Sequence, residues 1–367
     1  MISINAPQIG REEIEAVVKV MKSGVLTSGL GAGPKVTEFE KAYAKSVRAR
    51  HAVAMNSGTA ALHSALAAAG VKAGDEVILP SFTFVATAEV VILNRAKPVF
   101  VDIDPDTYTV SPRAVEKAVT KKTKAIMPVD LYGMPADTQP IREIADRHEL
   151  KIVEDAAQAH GASYKGKPVG AFADAVCWSF YGSKNMTTGE GGMLTTNSGD
   201  VAEVSRYMRS HGEKKKYESL MLGHNYHMPE IAAAIGVEQL KKLPRFVAKR
   251  RRNAKRFTEN LEKAKGLQLP NELEGFKCCW YLYTARLRNA KREKRDDVVE
   301  KLKQGGIDAF ICYMNPIHLM PYYRRFGRCR LPETEKASAQ VFSLPVHPGV
   351  TTKQIDFISD SVLHLVK

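Results

Sequence analysis

One segment of the chain sets a single lysine among small and hydroxyl-bearing residues: Ser179-Phe-Tyr-Gly-Ser-Lys184-Asn-Met-Thr-Thr-Gly-Glu-Gly-Gly192. A lysine on an open surface is a solvated point charge, whereas one in so crowded a loop can lose its proton and act as a Schiff-base nucleophile. Asp155 stands in Glu154-Asp-Ala-Ala-Gln158, directly after the apolar run Lys151-Ile-Val. That is the carboxyl end of an expected strand, where open α/β sheets bind ligands. Its carboxylate suits a cation or a protonated ring nitrogen; the alternative is a helix N-cap. Asn56-Ser57-Gly58-Thr59 lies between a short strand pattern and an Ala-rich helix pattern. Exposed backbone N–H groups, a hydroxyl and a helix dipole make such a turn an anion site, unless Ser57 is only a cap and Gly58 only a turn.

Two further patterns imitate known sites without completing them. Gly29-Leu-Gly31-Ala-Gly33-Pro34 copies a dinucleotide fingerprint, but its sixth position is proline and no strand pattern precedes it. His224 and His227 are three apart with no cysteine or acidic third ligand close by in sequence, so no metal is expected.

The elements that must position these residues follow a simple alternation. Short β-branched runs at His51, Glu76, Pro98, Ala125 and Lys151 alternate with longer stretches at Thr59 to Ala69, Thr83 to Leu93, Pro112 to Val119 and Thr138 to His148. The longer stretches carry apolar residues at helical spacing, for example Ile141, Ile144 and Ala145. Strand alternating with helix predicts βαβ units and a mostly parallel sheet. Ala175 to Phe180 and Gly192 to Thr196 extend the same sheet, and a boundary is expected near residues 236–245, where Gly236, Pro244 and a change of charge coincide. Beyond it the pattern predicts a smaller α/β unit: a basic helix at about 240–264, a strand around Trp280 to Leu287 and a helix around Asp296 to Lys303. The expected domains are therefore 1–240 and 241–367.

A chain of 367 residues with 44% hydrophobic and 26% charged residues is globular in composition, which excludes collagen-like and largely disordered classes. No apolar run approaches the ~18 residues of a membrane span, and the start shows no basic, then apolar, leader pattern. Five cysteines, odd in number and without a C-x-x-C pair, argue against a disulfide framework. A cytoplasmic location is expected. The net charge of +14 lies wholly in the last third: residues 1–240 hold 27 basic and 27 acidic residues, residues 241–367 hold 27 and 13. Such a surface attracts anions. Lys241 to Arg256 contains nine Lys/Arg and no acid, with Phe246 the one aromatic, a pattern shared by solvated amphipathic helices and nucleic-acid contacts.

Taken in order, several stretches resemble the DegT/StrS-type sugar aminotransferases: Asn56-Ser-Gly-Thr-Ala-Ala-Leu-His, Gly74 to Thr87, Lys97-Pro-Val-Phe-Val-Asp-Ile-Asp, Glu154-Asp-Ala-Ala-Gln-Ala-His-Gly-Ala, Ser179 to Gly192 and Gly223-His-Asn-Tyr-His-Met. Asn315-Pro-Ile-His318 and Ser343-Leu-Pro-Val-His-Pro add to the likeness. The resemblance implies an α/β protein of the pyridoxal 5'-phosphate (PLP) transferase fold type I, with a large domain and a smaller C-terminal α/β domain. It makes Lys184 the internal aldimine lysine and Asp155 the partner of the pyridinium nitrogen. Gln158 would bond the phenolic oxygen of the cofactor, Phe84 would stack on its ring, and Gly58, Thr59 and Ser179 would hold its phosphate. Asn225 matches an asparagine that reaches the partner subunit's cofactor, which implies a homodimer with shared active sites. His160, Tyr313 and His318 are substrate-side candidates. Two positions depart from the family pattern, with His227 in place of the usual Arg and Asp130 in place of the usual His.

The expected reaction is ping-pong transfer of an amino group from glutamate or glutamine to a nucleotide-linked keto-sugar. The alternative from another class is a regulatory or nucleic-acid-binding protein on the same scaffold, with residues 241–256 as its contact helix.

Overall fold

The computed structural model describes residues 1–29 and 31–366. Seven strands form the central sheet: β1 (His51–Met55), β2 (Glu76–Pro80), β3 (Lys97–Val101), β4 (Thr123–Ile126), β5 (Lys151–Asp155), β6 (Ala175–Ser179) and β7 (Gly192–Thr196). Their order is β1-β7-β6-β5-β4-β2-β3. β7 runs antiparallel to both its neighbours and the other strands run parallel, so the carboxyl ends of six strands share one edge of the molecule. All five residues of β2 and of β7 are buried. A sheet that turns no face to water needs helices on both sides.

The sequence explains those layers. The helix Gly58–Ala68 is apolar nearly all round, with Ala60 to Leu66 buried without interruption. It packs into one core with Val77, Leu79, Val153 and Cys177 of the sheet. The helix Thr138–Arg147 is amphipathic and presents Ile141, Ile144 and Ala145 to Ile78, Ile126 and Ile152 on the other face. Burying an apolar side chain of this size contributes roughly 1.5–3 kcal/mol; alternating side chains give each strand residues for both layers.

The C-terminal part has its own antiparallel sheet of Leu267–Gln268, Tyr283–Leu287 and Val341–Leu344. It is covered by the helices Arg292–Gln304 and Thr352–Leu365, in a core that includes Tyr283, Val298, Phe342 and Ile358. The basic helix starts earlier than its pattern suggests. It spans Glu230–Leu261 and runs unbroken through residues 236–245. Gly236 is there for close packing: a Cβ on it would lie 2.7 Å from the ring of Phe39. Leu243 and Val247 pack with Phe39, Trp178 and Met193 in a core of the large sheet, whereas Ala254, Phe257 and Leu261 belong to the C-terminal one. One helix thus spans both cores. The N-terminal residues join the C-terminal unit, since Ile2 bridges Ile307 and the Ile4 amide donates to Asp308 at 3.0 Å.

The false fingerprint has a structural use. Gly33 precedes the helix Pro34–Ser46, whose Lys35 and Val36 amides donate to the carboxylate of Glu230 at 2.6 and 3.2 Å. A protein carboxylate therefore occupies that helix start, and Leu30 lies outside the described residues. No described helix is long and apolar enough to cross a membrane. The five cysteines are free thiols, and only Cys329 is exposed.

Candidate active site

The expected site residues converge on the loops after the parallel strands. After β1, Ser57 caps the helix Gly58–Ala68 by accepting a 3.1 Å bond from the Ala60 amide. Gly58 is pressed against the end of β6, where a Cβ would stand 2.9 Å from Ser179 Cβ. A Cβ on Gly192 would stand 2.1 Å from the Ser57 carbonyl oxygen. Three chain segments meet so closely that only glycine fits, which leaves backbone amides, the Thr59 hydroxyl and the Ser179 hydroxyl at the positive end of a helix. An anion is the matching ligand.

Asp155 ends β5 and is 5% exposed. Its Oδ2 accepts from Thr87 Oγ1 at 2.9 Å and its Oδ1 from the Ala157 amide at 3.1 Å. Both donors are neutral. Burial pushes its pKa up, and Lys184 opposes that by favouring the charged form. A desolvated carboxylate with only neutral donors is stabilised by any cation placed beside it.

Lys184 is held by its neighbours in the loop. Ser183 Oγ lies 2.9 Å from Tyr281 OH, Asn185 Nδ2 donates to the Cys279 carbonyl at 3.2 Å, and the Lys184 amide donates to the Tyr181 carbonyl at 2.9 Å. Lys184 Nζ sits over the Tyr281 ring, 4.9 Å from its centroid. The loop closes on itself through bonds from the Thr188 amide and hydroxyl of Thr187 to the Phe180 carbonyl, both 2.9 Å. The lysine is presented, and little of its backbone is free to move.

Gln158 has both ends of its amide engaged: Oε1 accepts from the Tyr132 amide at 2.7 Å and Nε2 donates to Tyr313 OH at 3.0 Å. The Tyr313 ring lies 6.2 Å from that of Phe84, tilted by 37°. Phe84 itself is 56% exposed, an aromatic face open to a planar ligand. Tyr132 adopts φ 60 and donates from its hydroxyl to the Cys312 carbonyl. A bulky residue in the left-handed region is held there by its surroundings.

Two of the substrate-side candidates fall elsewhere. His160 is 1% exposed; its Nε2 lies 2.7 Å from the Ser179 carbonyl and its Nδ1 2.8 Å from Tyr43 OH. A carbonyl only accepts, so Nε2 carries the proton and Nδ1 accepts from the tyrosine. Burial brings its pKa down to about 4. The ring stacks on Phe180 at 5.3 Å and has no atom left for a substrate; it supports Ser179 from behind. His318 is 3% exposed, with Nδ1 2.7 Å from Ser81 Oγ, and clamps the loop after β2. Both histidines sit in loops that resemble family motifs, and the motif carries packing as well as chemistry. Tyr313 alone of the three reaches the site.

Asn225 is exposed, and its carbonyl accepts from Asn56 Nδ2 at 3.3 Å while the Asn56 amide donates to the Tyr226 carbonyl at 2.9 Å. This segment therefore runs beside the Asn56–Thr59 turn of the same chain. His224 stacks on Tyr226 at 4.8 Å and His227 Nε2 lies 3.0 Å from Ser210 Oγ. Sequence reading missed Thr87, Tyr132 and Tyr281. Thr83 and Thr87 are four apart, and a pair of hydroxyls one helical turn apart was the available signal for Thr87.

These residues fit PLP on their geometry alone: a glycine-lined anion cradle for a phosphate, a buried carboxylate whose hydrogen-bond donors are all neutral, an exposed aromatic face and a tethered lysine. Comparison with known proteins agrees. The model of the DegT/DnrJ/EryC1/StrS aminotransferase family matches residues 7–363. GDP-perosamine synthase of Caulobacter vibrioides is 39% identical, over 97% of this chain and 95% of its own. The crystal structure of S. venezuelae DesV in complex with a ketimine intermediate is 37% identical with a TM-score of 0.92, covering 97% of this chain and 94% of that one. The PLP form of Spr1654 from Streptococcus pneumoniae is 28% identical with a TM-score of 0.93, covering 99% and 97%.

Proposed function

The chain belongs to the DegT/DnrJ/EryC1/StrS aminotransferase family and is a PLP-dependent sugar transaminase, and on that premise we propose that it moves an amino group from glutamate or glutamine to a nucleotide-linked keto-sugar. The observation that carries the reading is the convergence of Lys184, the Thr87-bonded Asp155 and the Gly58–Ser179 cradle at one sheet edge.

Bound PLP supplies the electron sink for the reaction. Asp155 Oδ2, aimed by Thr87, would face the ring nitrogen and favour a proton on it. The turn at Gly58, Thr59 and Ser179 would hold the phosphate, Phe84 would stack on the ring, and Gln158 Nε2 has a second hydrogen that it could donate to the phenolic oxygen. Lys184 Nζ would carry the proton that leaves the substrate carbon. Donor and acceptor use the same lysine in turn, so the kinetics are ping-pong.

The protein works as a homodimer in which Asn225 completes the partner's phosphate site. The cationic surface of the C-terminal part gives a nucleotide diphosphate an electrostatic partner. The contact-helix alternative has less support. Lys241 pairs with Glu238, Lys242 with Glu12 and Glu13, Arg251 with Glu272 and Arg256 with Asp356, and Arg250 is buried, donating to the Trp280 and Tyr281 carbonyls. Much of the run is neutralised within the chain.

The test is mass spectrometry of products after incubation with glutamate or glutamine and a panel of nucleotide keto-sugars. An amino-sugar nucleotide formed with loss of the donor's amine supports the reading. Elimination products, or amination of free sugars only, would overturn it. Salt-sensitive retention of nucleic acid that survives Lys184→Ala would favour the alternative.

A further inference from the structure

Two carboxyl groups that this reaction scheme does not use lie behind the site. Side chains alternate along β5, so Glu154 points to the opposite face of the sheet from Asp155. Glu154 is 1% exposed and Asp130, in the loop after β4, is fully buried. The two side chains are within hydrogen-bonding reach of each other. Asp130 Oδ2 and Glu154 Oε2 are both buried, and neither has a hydrogen-bond donor among the described residues. Two ionised carboxylates cannot share a site in the absence of a cation, and one proton between them turns two orphaned acceptors into a single hydrogen bond.

We propose that Asp130 and Glu154 hold one proton in common and that this acid pair positions Gln158. The path is a chain of short contacts. Asp130 Oδ1 accepts from the Ala136 amide at 2.7 Å, which closes the loop 130–136. The Asp130 amide donates to the Asp155 carbonyl at 3.0 Å, tying that loop to β5. Within the loop, Tyr132 gives its amide to Gln158 Oε1 at 2.7 Å, which leaves Gln158 Nε2 aimed at Tyr313 OH. The shared proton holds Asp130 Oδ2 toward Glu154 and so keeps Oδ1 on Ala136. Asp130 and Glu154 are positioning residues; neither touches the expected ligand.

The charges around the pair agree with a retained proton. Burial is the main cause that raises both carboxyls, Glu154 to about 7 and Asp130 well above its usual range. Asp155 repels Asp130, Cys279 faces Asp130, and the Gly170 amide favours the charged form of Glu154. The cations nearby act on others: Lys184 on Asp155, and Arg250 on Cys279. The catalytic consequence rests on the reading of Gln158 as a cofactor contact, whereas the shared proton does not.

The experiment uses the PLP holoenzyme. Isotope-edited infrared spectra at neutral pH should show a protonated-carboxyl C=O band that disappears in both Asp130→Asn and Glu154→Gln, because an amide N–H replaces the shared proton. Raised folded-state carboxyls bind protons that the unfolded chain releases, so the wild-type Tm should fall as pH rises through about 7. Both amide variants should lose most of that fall. Asp130→Ala should release PLP about tenfold faster than wild type, by loss of a hydrogen bond to a charged group, and Asp130→Asn should restore retention. A wild-type spectrum without the band, or a band that neither amide variant removes, overturns the shared proton. Equal PLP loss in Asp130→Ala and Asp130→Asn overturns the positioning role. Normal PLP retention in Gln158→Ala overturns the reading of Gln158 and leaves the shared proton standing on the infrared result.

Discussion

Thr87 Oγ1 donates a 2.9 Å hydrogen bond to Asp155 Oδ2, across 68 residues of sequence, and Thr83 Oγ1 stands 3.1 Å behind it. The helix Ala86–Leu93 begins beside the end of β5, so a hydroxyl on its first turn fixes the rotamer of the carboxylate that is proposed to face the ring nitrogen. A bond to a charged acceptor contributes about 1.5–3 kcal/mol. Thr87→Val should therefore slow the half-reaction with glutamate about 10- to 100-fold, and Thr87→Ser should restore most of it. Single-turnover absorbance of the PLP band measures both.

Asp155→Asn keeps the shape of the side chain and removes its charge. The ring nitrogen then loses the partner that keeps it protonated, and amine transfer from glutamate should fall by orders of magnitude while PLP still attaches to Lys184. Rates near wild type in the same assay would make Asp155 a structural residue at the end of β5.

The purified protein should be yellow, and borohydride should fix the cofactor to the peptide that contains Lys184. This follows from the tethers on either side, Ser183 to Tyr281 and Asn185 to the Cys279 carbonyl. Peptide mapping of the reduced protein checks it; a label on any other lysine would remove the basis of the proposed chemistry.

His160 gives a pH signature in stability. Its folded pKa is brought down to about 4 by burial, against about 6.5 in an unfolded chain. The unfolded chain then binds more protons between those values, so the contribution is present above about pH 6.5 and is lost as the pH falls through about 4, some 3 kcal/mol in all. His160→Asn should melt at a lower temperature at neutral pH yet lose less on acidification. Thermal melts at a series of pH values test this, and parallel curves for the two proteins would contradict it.

Mixed dimers test the shared site. Lys184→Ala and Asn225→Asp subunits should each be nearly inactive, and their mixture should recover up to about half of wild-type activity per heterodimer, because in the proposed dimer two-fold symmetry would place both intact residues at one of the two sites. Subunit exchange without recovery would show that each protomer builds its site alone.

The alternation of β-branched runs and amphipathic stretches was enough to predict the strands of the parallel sheet, because burial on two faces demands that composition locally. The placement of Lys184, Asp155 and the Asn56–Thr59 turn at the carboxyl ends of neighbouring strands was legible for a related reason: loops at strand ends hold small residues and hydroxyls that packing alone would not select. Pro244 and Gly236 do not interrupt the helix Glu230–Leu261, which tolerates both because one is exposed and the other lets Phe39 approach. Only the tertiary structure decided which polar residues spend their hydrogen bonds inside. His160 and Gln158 are two residues apart, yet the histidine is used up between Tyr43 and Ser179 while Gln158 faces Tyr132 and Tyr313. Those partners lie up to 155 residues away, and no local pattern specifies them. A side chain's type states which bonds it can form; the distant segments folded against it determine which remain for a ligand.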